Sequence, residues 1–355
     1  MNTKSIAQKL SLATASVALL AIGTVDPATA VSLYSITELP FEPSDINDRG
    51  QIVGSQYLWD NGTVTNLGFL PGANYTEAKG INNLGQVVGS SGVLSSHSTY
   101  RAFIWQNGVM SGLGTISNPN CPVCYYRVAK DINDQDQVFG DLGPLELPYL
   151  RSFVWANGTL IDIIGVYSSA LAINNAGKAI LTSGRSSVIH IWQNSTFTSL
   201  GLLGGNNINN KDQIIGNWWG FNKGAFLWDG GTFTTLGSLG GNWSTASGIN
   251  DATLVVGSSS INTTTSHAFL WEKGKMFDLN TLIPANSGWE LLSALKINNK
   301  NQIIGTGKFN GESRSFLLTP EAQSVPEPTS ALGVLGLGGL GIGLRLWSKR
   351  KSVSD

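Results

Sequence analysis

The sequence predicts an all-β fold, a seven-bladed β-propeller made of four-stranded blades. Two observations predict it: a motif of Ile-Asn followed by Asn or Asp recurs about every 40 residues, and a strand missing from the last copy is present at the N-terminus. The copies begin at Ile46, Ile81, Ile132, Ile173, Ile208, Ile249 and Ile297. Residues shared by all copies hold such a repeat together, so we expect function where the copies differ.

Each copy contains four short segments of strand-forming residues, which we name strands A to D in chain order. In the second copy they are predicted at Ala78–Asn82, Gln86–Ser90, Arg101–Gln106 and Val109–Leu113. Asn107 and Gly108 form a strong signal for a two-residue hairpin turn between C and D, because both residues tolerate positive φ. β-branched and aromatic residues fill the strands, as strand propensity favours.

Strand C ends in tryptophan in six copies, at Trp59, Trp105, Trp155, Trp192, Trp228 and Trp271. These side chains are either ligand platforms or packing residues between neighbouring sheets. Their recurrence at one position of the repeat favours packing.

The seventh copy is incomplete. Ser315–Leu318 matches strand C, but Thr319 and Pro320 replace the hairpin turn and no strand D follows. Leu33–Leu39, ahead of the first strand A, matches strand D, with Leu39 in the place of Leu67 and Leu113. Pairing the first strand with the last blade closes a ring and hides both edges. An open β-solenoid is the alternative architecture.

The two ends of the chain have the pattern of targeting segments. Met1–Ala30 has early lysines, an apolar stretch and the small residues Ala28 and Ala30, which is typical of a secretory signal peptide and its cleavage site. The repeat domain is then residues 31–324. Residues 325–355 contain Val325, Pro326, Glu327 and Pro328, an apolar segment and a basic end. The apolar segment, residues 331–347, is barely long enough for a membrane helix, and the basic end would stay cytoplasmic.

This C-terminal region resembles the PEP-CTERM sorting signal of Gram-negative bacteria, which joins a Pro-Glu-Pro motif, a short membrane helix and a basic tail. The resemblance implies a protein that the export machinery carries to the cell envelope, the outer surface or the extracellular space. It also implies processing by an exosortase-type enzyme, with membrane attachment through the C-terminal helix before processing. An ordinary C-terminal membrane anchor is the alternative.

The repeats carry a second resemblance. Ala-x-Gly-Ile-Asn-Asn-x-Gly-Gln-Val-Val-Gly followed by Ala-Phe-x-Trp-x-x-Gly and Leu-Gly is similar to the extracellular HAF repeat, over nearly all of Ser44–Pro320. The full triplet occurs only at His267, Ala268 and Phe269; other copies begin with Arg101 or Gly224. The resemblance implies an exported propeller-like protein and provides no catalytic residues.

The two faces of the predicted ring differ. In an antiparallel meander the A–B and C–D turns share one face, the constant face, where the turns are short and nearly invariant. The other two connections share the opposite face, the variable face, whose loops differ in length. Aromatic residues recur there, and sugar rings pack well on aromatic planes. The candidate ligand-binding residues are Tyr75, Tyr126, Tyr167, Trp218, Trp219, Trp243 and Trp289. The alternative is that these aromatics fill gaps between blades.

Composition narrows the partners and cofactors. The 22 basic and 23 acidic residues nearly balance, which argues against nucleic acid as a partner. Cys121 and Cys124, the only cysteines, are predicted to form a disulfide across a long loop, since the chain is exported. A zinc site needs further ligands close in the sequence, and the three histidines lie in other repeats. We therefore expect no metal and no cofactor.

Two functions fit these patterns. We favour a non-catalytic surface or matrix protein that binds polysaccharide on its variable face. The alternative is a polysaccharide-degrading hydrolase or lyase with acids at the mouth of the ring, drawn from Glu77, Asp141, Glu146 and Glu290. Two carboxylates about 5–10 Å apart in the central funnel would favour the enzyme.

Overall fold

The computed structural model describes residues 33–114, 126–143, 151–163, 168–183, 188–218 and 224–321. These residues form seven four-stranded antiparallel sheets and one short 3-10 helix, Leu279–Thr281. The predicted seven-bladed β-propeller is therefore confirmed.

The strands follow one another in chain order. Blade 1 holds β2 (Asp45–Ile46), β3 (Ile52–Gly54), β4 (Tyr57–Asp60) and β5 (Thr63–Asn66). Blade 2 holds β6 (Tyr75–Ile81), β7 (Val87–Val93), β8 (Ser96–Gln106) and β9 (Val109–Gly112). Blade 3 holds β10 (Tyr126–Ile132), β11 (Val138–Gly143), β12 (Arg151–Ala156) and β13 (Thr159–Ile163). Blade 4 holds β14 (Ser168–Ile173), β15 (Ala179–Ser183), β16 (Val188–Gln193) and β17 (Thr196–Leu203).

Blade 5 holds β18 (Gly205–Ile208), β19 (Ile214–Trp218), β20 (Gly224–Asp229) and β21 (Thr232–Gly237). Blade 6 holds β22 (Ser244–Ile249), β23 (Val255–Ser260), β24 (Ser266–Glu272) and β25 (Lys275–Asp278). Blade 7 holds β26 (Trp289–Ile297), β27 (Ile303–Phe309), β28 (Glu312–Pro320) and the N-terminal strand β1 (Tyr34–Leu39).

Strand β1 closes the ring as the sequence predicts. It is the outermost strand of blade 7 and pairs antiparallel with β28, from Tyr34 opposite Pro320 to Leu39 opposite Ser315. The closed circle excludes the open solenoid. Strand C of blade 7 is longer than the predicted Ser315–Leu318, because β28 also includes Thr319, which pairs with Ser35.

Apolar side chains between neighbouring blades form the core. A separate buried cluster lies at each of the seven blade interfaces. The strand C tryptophans belong to this packing: Trp105 is only 7% exposed and Trp271 only 5%. Their recurrence is therefore structural, as the repeat position suggested.

The Ile-Asn motif closes a ring of hydrogen bonds around the constant face. The asparagine of each copy donates from Nδ2 to the backbone carbonyl of the equivalent asparagine in the next blade, and Asn298 donates to Asn47 to complete the circle at 2.8 Å. Each Oδ1 also accepts from two backbone N–H groups of its own A–B turn, as Asn82 does from Leu84 and Gln86. The motif thus shapes each turn and joins it to the next.

The third residue of the motif forms a second ring. In every copy its backbone N–H donates to the side-chain oxygen of the same residue in the next blade. Asp48, Asp134 and Asp251 occupy this position in three copies, and each lies between two asparagines. The polar groups of the A–B turns on the constant face therefore find their hydrogen-bond partners within the repeat itself.

Several strands extend further toward the variable face than predicted. The residues from Val93 to Tyr100, which the sequence indicated as a loop, lie largely in β7 and β8, which extend as a hairpin on either side of a bulge near Ser91. Backbone pairing outweighs the weak strand propensity of these Ser and Gly residues.

Among the described residues, no helix has the length and apolar character needed to cross a bilayer. The predicted signal peptide with Ala28 and Ala30, the predicted helix in residues 331–347, and Cys121 and Cys124 all lie outside the described residues.

Candidate binding notch on the variable face

Blade 1 is much shorter than its neighbours. Its strands A and B, β2 and β3, have 2 and 3 residues, whereas β6 and β7 of blade 2 have 7 each and β26 and β27 of blade 7 have 9 and 7. All these strands reach the constant face through the same motif, so the missing length is on the variable face. Blades 2 and 7 therefore rise on either side of blade 1 and leave a gap, which we call the notch.

Two cavities occupy the notch. The first, of about 250 Å³, lies between blades 1 and 2, and the second, of about 390 Å³, between blades 1 and 7. The first is lined by Glu42, Pro43, Ser44, Ser55, Tyr75, Thr76, Glu77 and Lys79. The second is lined by Glu42, Leu292, Thr306, Gly307, Ser313, Arg314 and Ser315. Glu42 lines both cavities and so lies at the centre of the notch.

Tyr75 lines the first cavity and is backed by a second aromatic ring. The rings of Tyr75 and Tyr100 stack with centroids 5.5 Å apart and an angle of 21° between their planes. Burial, and then the nearby Glu77 carboxylate, raise the pKa of both phenols, and the Tyr75 hydroxyl hydrogen-bonds to Glu77. Both tyrosines are consequently neutral hydroxyl groups at physiological pH.

Charged groups lie on both sides of the notch. Lys79 forms an ion pair with Glu77, and Arg314 forms ion pairs with Glu38, at 3.0 Å, and with Glu312. Glu42 is exposed and forms no ion pair with any residue that the structure describes. The notch thus combines an aromatic plane, one unpaired carboxylate and several hydrogen-bonding groups.

The other predicted aromatics lie in different surroundings. Trp218 packs on Phe226 and Phe233, with ring centroids 4.7 and 5.4 Å away, and Trp289 packs on Phe309 and Phe316 at 5.3 and 6.0 Å. Both are half-buried against cores between blades. Trp243 is half-buried in blade 6. Tyr167 and Trp219 lie outside the described residues, as does the side chain of Tyr126. The described aromatics are therefore distributed over several blades, and Tyr75 is the one at the notch.

The acids of the enzyme alternative do not converge. Asp141 is buried, pairs with Lys130 at 2.6 Å and accepts the backbone N–H of Ala170, which is a structural role between blades 3 and 4. Glu290 pairs with Lys308 on blade 7, and Glu146 lies outside the described residues. Only Glu77 lines the notch, where its neighbour is Glu42, a residue that the sequence did not single out.

Asp45, Asp131 and Lys296 each directly precede an Ile-Asn motif on an innermost strand. Lys296 Nζ lies 3.9 Å from Asp45 Oδ1, and the two oxygens of Asp131 accept the N–H groups of Ile132 and Ile173. Burial raises the pKa of Asp131 to about 6 against the opposing attraction of Lys296, and burial also raises the pKa of Asp45. The adjoining cavity of about 160 Å³ is lined by the seven motifs.

Within the described ranges, no group of three or more His, Cys, Asp or Glu side chains is placed to hold a metal ion. The histidine of the His-Ala-Phe triplet instead makes a hydrogen bond to a carboxylate: His267 Nδ1 lies 2.6 Å from Asp278 Oδ2. Arg151 and Asp162 form the equivalent cross-strand pair in blade 3 at 3.0 Å. This position therefore links strands C and D in both blades.

Solved structures share this fold. YCF48 bound to a D1 peptide is 12% identical, with a TM-score of 0.53, and the match covers 84% of this chain and 100% of that chain. A catalytically inactive virginiamycin B lyase from Staphylococcus aureus with quinupristin is 11% identical, with a TM-score of 0.52 over 81% of this chain and 100% of that chain. At such identities the likeness shows the fold alone. No curated protein sequence matches the chain.

A sequence motif identifies the C-terminal region. Residues 324–351 match the PEP-CTERM protein-sorting motif, which confirms the predicted sorting signal with Val325, Pro326, Glu327 and Pro328. The motif implies an exported protein that an exosortase processes and that is anchored transiently at the envelope. The chain thus joins a seven-bladed β-propeller to a PEP-CTERM sorting signal.

Proposed function

We propose that this protein is a non-catalytic binding protein of the cell surface or extracellular matrix, and that it recognises polysaccharide in the notch. The observation that carries the proposal is the stacked pair of Tyr75 and Tyr100 beside Glu77, Lys79 and the unpaired Glu42. Sugar C–H groups pack on an aromatic plane while nearby polar groups bond the hydroxyls. The notch offers both on a rigid scaffold.

The remaining parts of the proposal concern export and the repeat. Residues 1–30 are a signal peptide cleaved after Ala30, residues 31–324 are the mature propeller, and residues 325–355 direct sorting and are removed by the exosortase. The propeller belongs with the extracellular HAF-repeat proteins. Cys121 and Cys124 form a disulfide, and Trp218, Trp219, Trp243, Trp289, Tyr126 and Tyr167 contribute further aromatic surface on the variable face.

Binding to a glycan array tests the proposal. The purified fragment of residues 31–324, which contains every strand of the ring, is expected to bind one class of polysaccharide. Tyr75→Ala removes the aromatic plane and Glu42→Gln removes the free carboxylate, so each should weaken binding at least about tenfold, the equivalent of 1.4 kcal/mol.

Thr263→Ala is the matched control, because Thr263 is exposed on the variable face of blade 6, away from the notch. All variants must have the same melting temperature as the unsubstituted fragment. Unchanged binding by both notch variants would contradict the proposal, even if the fragment binds a glycan elsewhere.

A polysaccharide-degrading enzyme is the second candidate, and one observation favours it. Glu42 and Glu77 line the same cavity, so the notch contains a pair of carboxylates, the groups that glycoside hydrolysis requires. The measurement is release of new chain ends from any polysaccharide that the fragment binds. Turnover abolished by Glu77→Gln with binding retained would replace the binding proposal with this one; no turnover by the unsubstituted fragment would remove the enzyme.

A further inference from the structure

The last strand of the propeller runs from the variable face to the constant face. β28 begins beside the turn between Phe309 and Glu312, the connection between strands B and C of blade 7. Near its end, Leu318 pairs with Ile303, which directly follows the A–B turn of the same blade. The chain therefore leaves the ring at the constant face.

The exit point lies at the outer rim of that face. β28 pairs with β1, the outermost strand of blade 7, and the Glu321 N–H donates to the Leu33 carbonyl at 3.0 Å just beyond the ladder. Leu33 is in turn held by the Leu282 carbonyl at 3.0 Å. Both ends of the propeller are thus fixed side by side on one rim, and the sorting motif begins at residue 324, three positions later.

We propose that, while the sorting segment is in the membrane, the constant face of the propeller lies toward the bilayer and the variable face is directed away from it. The anchored protein then presents the notch outward from the first moment of its display. The proposal rests on the exit point and the sorting motif, and it holds whatever ligand the notch takes.

The length of the tether supports this orientation. Residues 321–330 lie between β28 and the predicted helix, and ten residues span at most about 33–36 Å. Strand β24 alone, with 7 residues, rises about 23 Å from one face of blade 6 to the other. With the variable face toward the bilayer, the tether would have to run back along the blade and use most of its length.

The chemistry of the constant face is compatible with a layer of lipid headgroups. Its asparagines and aspartates bond one another around the two rings, so they need no further ligand. The tips of the A–B turns carry the exposed cations Arg49, Lys211 and Lys300. The same turns carry Asp48, Asp134, Asp136, Asp212 and Asp251, so the charge of this face is mixed and the orientation rests on the exit point and the tether.

Energy transfer to a labelled bilayer tests the orientation. The full chain, with its C-terminal segment retained, is reconstituted in vesicles of phosphatidylcholine and phosphatidylglycerol that carry a headgroup acceptor dye. The donor dye is attached through p-azidophenylalanine at Thr263 or, in a second preparation, at Lys273. These positions lie at opposite ends of β24, on the variable and constant faces, and Lys273 is 89% exposed.

We expect several-fold stronger transfer from position 273 than from position 263. A chain that lacks residues 325–355 should give no transfer from either position, which assigns the signal to the tether. The pair Leu94 and Asn107 in blade 2 repeats the comparison if a dye disturbs blade 6. Equal transfer from both faces, stronger transfer from the variable face, or no transfer from the full chain would overturn the proposal.

Discussion

At the scale of the residue, the innermost strands place ionisable groups where the other copies have neutral ones. Asp131 directly precedes the Ile-Asn motif of the third copy, a position that Asn207 occupies in the fifth copy. Both side chains accept the N–H of the following isoleucine, at 2.9 Å for Asp131 and 2.8 Å for Asn207. The charge of Asp131 is therefore not needed for the turn.

Replacing Asp131 with asparagine should change how the stability of the protein depends on pH. Burial raises the pKa of Asp131 from 3.8 to about 6, so the folded protein binds this proton more tightly than the unfolded chain. Its contribution to stability is greatest below pH 4, falls as the pH rises to about 6 and is flat above that pH. Asp131→Asn also removes the acceptor of the Ile173 N–H, which is a loss at every pH. Its stability relative to the parent should therefore be about 1–3 kcal/mol higher at pH 7.5 than at pH 4.

Urea unfolding of the two proteins at both pH values measures this difference. Burial also raises the pKa of Asp45, so Asp45 makes the stability depend on pH in the same direction. Both proteins contain Asp45, so the difference between them removes its contribution. A stability of Asp131→Asn relative to the parent that does not rise between pH 4 and pH 7.5 would contradict the raised pKa of Asp131.

Residue patterns in the sequence were enough to show that the repeating side chains have a structural role. Asn and Gly at recurrent turn positions have one chemical explanation, and the hydrogen bonds of Asn82 match it. The notch residues were not predictable in this way. Glu42 and Arg314 are single occurrences almost the whole chain apart, and only ring closure brings them to one cavity.

At the scale of the element, the third residue of strand B is a glycine in six copies because strand A lies against it. A Cβ on Gly89 would lie 2.0 Å from the Glu77 carbonyl oxygen, and one on Gly257 would lie 1.9 Å from that of Thr245. Bulges in strand A, at Ala78–Gly80 in blade 2, accompany this close approach. The fourth copy has Leu181 at this position.

The substitution Gly89→Ala should destabilise the propeller by at least about 2 kcal/mol, since backbone must move to admit the methyl group. Gly112→Ala in the same blade is the control, because its Cβ would meet only the Leu70 side chain at 3.9 Å. Thermal unfolding followed by circular dichroism compares them. Equal melting temperatures for the two variants would be evidence against a tight contact between strands A and B.

Strand existence was predictable and strand length was not. Alternation and turn residues located the four strands of each copy, but the pairing partner decides how far each strand extends. In blade 2, Ser96–Gln106 forms an 11-residue strand because β7 pairs with it on both sides of a bulge, whereas β4 in blade 1 has 4 residues. The notch follows from this difference in height between neighbours, which a single copy does not encode.

At the scale of the whole molecule, the ring depends on a strand from the opposite end of the chain. β1 covers the edge of β28, and Leu39 is buried in the core between blades 7 and 1. Tyr34 is buried beside blade 6, which together with a nearby acid raises its pKa to about 12. Closure therefore waits until the last blade has formed, some 280 residues after β1.

Removing residues 33–39 should open the ring. The loss of two buried side chains and six ladder positions costs more than about 4 kcal/mol. We expect a lower, broader thermal transition and faster proteolysis of blade 7. A synthetic peptide of residues 31–41 should restore the transition and a scrambled peptide should not. A sharp, unchanged transition without β1 would mean that six blades and three strands suffice.

The ring formed by the third motif residue limits how many aspartates it can contain. A carboxylate only accepts hydrogen bonds, so Asp48, Asp134 and Asp251 each need an asparagine on both sides. Seven is an odd number, so alternation cannot close, and Asn175 is left beside Asn210. A ring of seven positions can therefore contain at most three aspartates if no two of them are neighbours. Cutting the circle at a new point and joining the old ends keeps every neighbour, whereas exchanging blades 1 and 2 would put Asp48 beside Asp134. The repeats look interchangeable along the chain, yet those that carry aspartate must stay apart.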